Sequence, residues 1–189
     1  MDDLGRFEYE ALRATIRERG TARLVTFFAT LVAWAALELA ILASGPNHVI
    51  GPLLSLMVLA AGFETVFQIH LGVERVGRYL QVAFEESALP ASEPAAVGPV
   101  GPRPPAWETT AMAYGKAYPS AGSDPLFTML FLFATLINVL PVVGAWRMPV
   151  VFPALVGAHA LFLLRVRAAR RRAGRQRAED LQRFRELLK

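Results

Sequence analysis

Four apolar runs, each close to the length that crosses a membrane, dominate the hydrophobic pattern of the chain. They cover residues 24–43, 49–73, 126–146 and 150–166. Since about 20 residues of α-helix, at roughly 1.5 Å each, cross a hydrocarbon core of about 30 Å, each run predicts a transmembrane helix. Short turns join the first run to the second and the third to the fourth, which predicts two antiparallel hairpins. Because the fourth run is short, the alternative is three spans with this run at the membrane surface.

Segments with helical periodicity flank the apolar runs and complete an all-α integral membrane protein. Residues 1–20 predict an amphipathic helix at the membrane surface. The first hairpin, within 21–87, is expected to end in a cytoplasmic amphipathic extension with Arg78 and Gln81 facing water. The second hairpin falls within 124–166 and is followed by a basic cytoplasmic helix at 167–189. The apolar residues of that last helix are expected to dock on the extension of span two or on another subunit.

A stretch rich in proline separates the two predicted hairpins. Residues 88–123 contain seven prolines, a composition that predicts a flexible cytoplasmic linker rather than a packed core. Within it, residues 107–114 read W-E-T-T-A-M-A-Y and suit a short docked element, because Trp107 and Tyr114 favour a membrane interface. A wholly disordered linker is the alternative interpretation.

Composition and charge agree with a membrane protein and indicate its orientation. The chain is 54% hydrophobic with a mean hydropathy of +0.37, whereas soluble domains have about 45–50% apolar residues. The absence of cysteine excludes disulfides, thiolate metal sites and covalent haem attachment. If both termini are cytoplasmic, only Arg147 among the 20 basic residues lies outside, which is a strong positive-inside signal. The preference for arginine over lysine suggests a bacterial source and hence the inner membrane.

Three polar residues lie at overlapping depths inside the second, third and fourth runs. Counting from the cytoplasmic boundary places Glu64 at roughly 13–16 Å, Asn138 at about 18 Å and His159 at about 9 Å. Such side chains cost at least a few kcal/mol in a membrane and therefore need partners. The favoured interpretation is a hydrogen-bonded clasp between helices, with Glu64 protonated or paired with His159. A proton relay or ion site built from Glu64 and His159 is the alternative.

The first run carries a glutamate and a stripe of small residues on opposite faces. Glu38 lies beside Trp34, and the opposite face carries alanines at positions 29, 33, 36, 40 and 43. A small-residue face allows another helix to approach closely. Glu38 is expected to extend toward the headgroups or to pair with Arg147, and the alternative is that Glu38 and Trp34 face a partner subunit.

At the cytoplasmic end of span two, His70, Glu74, Arg75 and Arg78 are expected to lie at the membrane interface. His70 and Glu74 are four residues apart and share a helix face, but two ligands do not make a metal site. His159 or Glu64 would have to complete it, and a b-type haem held by His70 and His159 is a similarly weak alternative. We therefore expect no cofactor and no metal.

The arginines that follow the fourth run are expected to bind anionic lipid headgroups. These residues are Arg165, Arg167, Arg170, Arg171 and Arg172. Because they directly follow a predicted span, lipid is favoured over nucleic acid as their partner.

No phosphate loop, nucleophile elbow, zinc-protease motif or dinucleotide fingerprint occurs in the sequence. The expected function is therefore non-enzymatic: an accessory or assembly subunit of a larger membrane complex, with other membrane subunits or a second copy as partners. A small transporter or channel that uses the Glu64, Asn138 and His159 site is the first alternative. A metal-dependent membrane enzyme is the second.

Overall fold

The computed structural model describes residues 3–45, 49–86, 107–117 and 123–188, and all of the secondary structure in these ranges is helical. The helices are α1 (Asp3–Ala43), α2 (Ile50–Leu80), α3 (Trp107–Ala117), α4 (Ser123–Val139) and α5 (Val151–Leu187). A π-helical turn (Gln81–Glu86) continues α2, and a 3-10 turn (Leu140–Ala145) continues α4.

Within the described part of the chain, four helical segments are long and apolar enough to cross a membrane: α1, α2 with its π-helical turn, α4 with its 3-10 turn, and α5. This confirms the prediction of an all-helical chain with four helices of membrane-spanning length. The predicted linker lies mostly outside the described residues, and α3 is the part of it that the structure describes.

The chain forms two compact units. The charged unit comprises Met1–Gly20, Leu71–Gly122 and Ala173–Lys189. The apolar unit comprises Thr21–His70 and Ser123–Arg172.

Phenylalanine rings form the centre of the apolar unit. Phe27 of α1 is 1% exposed and meets Phe127 and Phe131 of α4, with ring centroids 4.5 and 5.6 Å apart. Phe63 of α2 meets Phe131 edge-on at 5.3 Å and Phe162 of α5 at 5.8 Å. Each such aromatic pair contributes about 0.5–1.5 kcal/mol beyond the burial of its apolar area. These contacts join α1, α2, α4 and α5 into one core.

A close helix contact joins α1 to α2 in the same unit. The hydroxyl of Thr30, a buried residue, donates to the Thr26 carbonyl at 2.7 Å, and its side chain lies directly over Gly62. A Cβ at position 62 would fall within 3.0 Å of three Thr30 side-chain atoms. Only glycine therefore fits at position 62.

The charged unit packs the end of α5 and the start of α1 against α2 and its π-helical turn. Tyr79 meets Phe184 with ring centroids 5.6 Å apart, and Tyr9 meets Phe84 at 5.5 Å. The Tyr79 hydroxyl donates to the Glu8 carboxylate at 2.8 Å. The amphipathic tail of the sequence thus docks within its own chain, on the extension of α2.

The N-terminal segment and the first span form one uninterrupted helix. The sequence separates an amphipathic helix at 1–20 from a span at 24–43, whereas α1 runs from Asp3 to Ala43. Gly20 lies between the two segments, and glycine costs a helix only about 1 kcal/mol relative to alanine. That cost is too small to break a helix that is packed at both ends.

Candidate functional site

Asn138 and His159 form a fully buried polar pair in the apolar unit. The Asn138 amide donates to the Pro52 carbonyl at 3.0 Å, and it lies 3.0 Å from His159 Nε2. His159 Nδ1 lies 2.8 Å from the Leu155 carbonyl of its own helix. Asn138 is 0% exposed and His159 is 1% exposed. The pair connects α2, α4 and α5 through hydrogen bonds.

These contacts fix the tautomer of His159. A carbonyl oxygen can only accept, so Nδ1 must carry the hydrogen that points at Leu155. Nε2 is then the acceptor for the second amide hydrogen of Asn138. A proton added to Nε2 would face that amide donor and break the contact. Because both ring nitrogens are occupied, the arrangement suits a structural clasp better than a proton relay.

Replacing Asn138 with leucine should destabilise the apolar unit by about 1–2 kcal/mol, because His159 Nε2 would lose its donor in an apolar interior. Thermal unfolding in mild detergent measures the change. Thr135→Val is the matched control, since Thr135 is also buried on α4 but donates only to the Phe131 carbonyl of its own helix, at 2.6 Å. Equal losses in the two variants would contradict a clasp between helices.

Glu64 does not contact the Asn138–His159 pair but binds Arg165. The Arg165 guanidinium donates to the Glu64 carboxylate at 2.7 Å, and the two side chains are 33% and 41% exposed. The guanidinium also lies 5.1 Å from the Phe67 ring centroid. The three polar residues expected to meet therefore form two separate contacts.

The four residues at the exit of span two each have a different partner. His70 Nδ1 accepts from Arg23 at 2.9 Å. In the charged unit, Glu74 lies 2.7 Å from Arg177, and Arg75 lies 3.4 Å from Asp180. These contacts are one hydrogen bond and two ion pairs, and they do not bring the side chains together as a shared ligand set.

Arg78 is the centre of a buried ionic network in the charged unit. Its side chain is 5% exposed and lies 3.4 Å from the Glu108 carboxylate of α3. Glu108 also accepts from Arg13 of α1 at 2.6 Å. Arg78 donates in addition to Gln81 at 2.7 Å and to the Met112 sulfur. One carboxylate thus bridges guanidinium groups from two helices.

Glu85, in the π-helical turn, caps the first turn of α3. Its carboxylate accepts from the backbone N–H groups of Glu108 and Thr109 and from the Thr109 hydroxyl, each at 2.7 Å. These N–H groups belong to the first turn of α3, where a helix leaves its donors unpaired. The negative charge also suits the positive end of the helix dipole. Because Glu85 is 2% exposed, the contact docks α3 firmly.

Burial dominates the electrostatics of this network. Desolvation raises the pKa of Glu108, although the charges of Arg13 and Arg78 act to lower it. Desolvation also lowers the pKa of Arg78, against the opposing effect of Glu74 and Glu108. The network therefore fixes geometry more than it adds stability, as is common for buried ion pairs.

The contribution of Glu108 to the stability of the charged unit should fall as the pH rises above 4.5, because the folded-state pKa of Glu108 lies above its unfolded value. The stability contributed by neutral Glu108 is fully present below its unfolded-state pKa of 4.5. It is lost as the pH rises through the higher folded-state pKa. Glu108→Gln should flatten this slope in thermal unfolding followed by circular dichroism. Glu10→Gln, at an exposed carboxylate on α1, is the control. The same slope in wild type and Glu108→Gln would contradict the assignment.

The two faces of α1 differ in their exposure. Trp34 and Glu38 are half-buried, and both have a buried polar atom, Nε1 and Oε1, without a hydrogen-bond partner among the described residues. The alanines of the opposite face, Ala29, Ala33, Ala36, Ala40 and Ala43, are all exposed. The uncovered side of α1 therefore contains the small-residue stripe together with large apolar side chains, among them Val32 and Leu39, which are 68% and 67% exposed.

Within the described residues, no group of three or more histidine and acidic side chains is placed to hold a metal ion. Comparisons with family models, curated proteins and solved structures find no match. The contacts within the chain are therefore the basis for assigning a function.

Sequence reasoning missed the network around Arg78. It assigned Arg78 and Gln81 to a water-facing side, but they are only 4% and 3% exposed because α3 covers them. The available signal was the helical spacing of Arg78, Gln81 and Glu85, which form one polar stripe. Such a stripe faces either water or a polar partner, and its sequence does not distinguish the two.

Proposed function

We propose that this chain is a non-catalytic subunit of a larger membrane complex and that α1 binds an apolar transmembrane helix of another protein. The observation that carries the proposal is the uncovered small-residue face of α1. Only 11% of the apolar window of α1 is buried within the chain, compared with 50% for α2. Alanines at alternating spacings of four and three allow a partner helix to approach closely, and such faces are enriched where membrane helices meet.

We further propose that α1 with α2, and α4 with α5, are hairpins in a bacterial inner membrane, with both termini in the cytoplasm. The strongest support is the distribution of basic residues, which leaves only Arg147 on the outer side. The charged unit would then lie in the cytoplasm.

The polar contacts of the apolar unit disfavour the transporter and the enzyme. A coupling site would need Glu64, Asn138 and His159 to act together, whereas Glu64 binds Arg165 and the other two bind each other. If Glu64 were a coupling residue, Glu64→Gln would abolish flux in liposomes. The metal enzyme would need His70 and Glu74 to bind the same metal ion, but their side chains contact Arg23 and Arg177.

Site-specific crosslinking tests the subunit proposal, and the absence of cysteine makes single-cysteine variants directly usable. We expect Ala36→Cys to crosslink in native membranes to one defined partner chain in stoichiometric yield. Leu161→Cys, on α5 and 69% exposed, is the control and should give no such product. Ala36→Phe should abolish recovery of the same partner in mild detergent, whereas Leu161→Phe should not.

Three outcomes would contradict the proposal. These are equal crosslinking from both positions, a product with twice the mass of this chain, or a partner that is still recovered with Ala36→Phe. The second outcome would identify a homodimer instead of a complex with another protein.

A further inference from the structure

The positive charge of the chain is concentrated in its apolar unit. The charged unit contains thirteen basic and thirteen acidic residues and is balanced, whereas the apolar unit contains seven arginines and three carboxylates. Five of those seven arginines fall within residues 165–172 of α5. The formal net charge of +4 therefore originates at one end of one apolar helix.

This part of α5 has a packed side and a basic side. A stripe of buried residues packs into the unit: Leu155, His159, Phe162, Val166 and Ala169. At about 100° per residue, Arg167 and Arg171 lie about 120° and about 160° from the centre of that stripe. Arg170 and Arg172 lie about 60° and about 100° from that centre, on opposite sides of the helix, and all four arginines are exposed. We call these four residues the arginine face.

The arginine face has no counter-charge from the described residues. Arg165 is excluded from it, because Arg165 is already neutralised by Glu64. Along α5 the next carboxylates are Glu179 and Asp180, about two turns beyond Arg172. Four exposed guanidinium groups thus lie within six residues of α5 without an acidic partner in the described chain.

We propose that the arginine face binds the phosphate groups of anionic phospholipids at the membrane surface. The face begins three residues after Leu164, the last residue of the apolar part of α5. Arg167 to Arg172 then span about 7.5 Å along the helix axis, which is close to the thickness of one headgroup layer. Guanidinium groups form paired hydrogen bonds with phosphate oxygens, so their chemistry matches this ligand.

The position of the face favours lipid over nucleic acid. A nucleic-acid surface usually combines basic residues with aromatic residues on which bases stack, and 165–178 contains no aromatic residue. A duplex would also have to approach a helix within a few ångströms of the hydrocarbon boundary. The inference requires the apolar unit to be embedded in a membrane, but it does not require the partner subunit proposed above.

Lipid retention by the full-length chain tests the proposal. The purified protein in non-ionic detergent would be mixed with equal amounts of phosphatidylglycerol and phosphatidylcholine that have the same acyl chains, and bound lipid would be counted by native mass spectrometry. We expect phosphatidylglycerol to be retained at least tenfold over phosphatidylcholine. The variant with Arg170, Arg171 and Arg172 replaced by glutamine should lose about fivefold in affinity per arginine.

A variant that loses the same charge elsewhere distinguishes a specific lipid site from a general effect of net charge. Replacing Arg6, Arg17 and Arg183 with glutamine removes the same charge from exposed positions in the charged unit and should leave the preference unchanged. Replacing Arg170, Arg171 and Arg172 with lysine keeps the charge and should preserve most of the preference, even if the glutamine variant does not fold.

Several outcomes would overturn the proposal. These are equal retention of the two lipids by the native chain, or equal loss of the preference in the charge-matched variant. Tighter binding of a short DNA duplex than of phosphatidylglycerol at the same ionic strength would also overturn it. A chain that is recovered without any partner protein but still prefers phosphatidylglycerol would reject the subunit proposal and retain this one.

Discussion

Replacing Glu85 with alanine is expected to release α3 from the charged unit. The substitution removes all three hydrogen bonds that cap the first turn of the helix, and each is made to a buried carboxylate. Hydrogen bonds to charged groups contribute about 1.5–3 kcal/mol each, and we expect a net loss of about 3 kcal/mol because water replaces part of the interaction. Hydrogen–deuterium exchange of the peptide 107–117 should then accelerate by about a hundredfold.

The neighbouring residue provides the control for this experiment. Glu86 is also a carboxylate of the π-helical turn, but its main contact is an exposed ion pair with Arg185 at 2.7 Å. Exposed ion pairs contribute about 0–1 kcal/mol, so Glu86→Ala should leave exchange in α3 almost unchanged. If the two variants exchange alike, α3 is not held by the Glu85 cap.

Replacing Gly62 with alanine is expected to destabilise the apolar unit by about 1–3 kcal/mol, the usual cost of overpacking a close contact. The new methyl group would collide with Thr30, a β-branched residue that is buried and hydrogen-bonded to its own helix. Thr30 has few rotamers to move into, so α1 and α2 must separate. Thermal unfolding in mild detergent measures the loss.

Two further variants test whether the contact between Gly62 and Thr30 causes the loss of stability. Gly157 on α5 has open space where a Cβ would stand, with no neighbouring atom within 4 Å, so Gly157→Ala should be neutral or stabilising by up to about 1 kcal/mol. Combining Thr30→Gly with Gly62→Ala transfers the bulk from one helix to the other and should recover part of the loss. A double variant as unstable as the sum of its single variants would exclude the contact as the cause.

The membrane-spanning elements could be predicted from sequence because their signal is local. Each apolar run is close to the length that crosses a membrane, and no partner is needed to recognise it. The prediction divided the chain between residues 20 and 21, where the two compact units also divide, and α1 is continuous through this point. A charged segment and an apolar one can belong to one helix when neither a proline nor a strong cap divides them.

The side-chain pairings could not be predicted because they depend on the packing of distant segments. Depth alone placed Glu64, Asn138 and His159 together, but rotation about each helix axis decides which side chains meet. Asn138 and His159 turn toward each other, whereas Glu64 turns toward Arg165. The burial of Arg78 depends on α3, whose docking depends in turn on Glu85.

The composition of the charged unit has a consequence for biosynthesis. Its α2 segment is completed by α1 residues that precede it and by α5 residues that follow it much later in the chain, among them the partners of Glu74 and Glu86. A nascent chain therefore cannot finish this unit until the ribosome has passed Arg185. A chain that stops earlier leaves both carboxylates and the Tyr79 ring without their α5 contacts. Completion of this unit therefore depends on synthesis of α5, long after the α1 and α2 segments have been made.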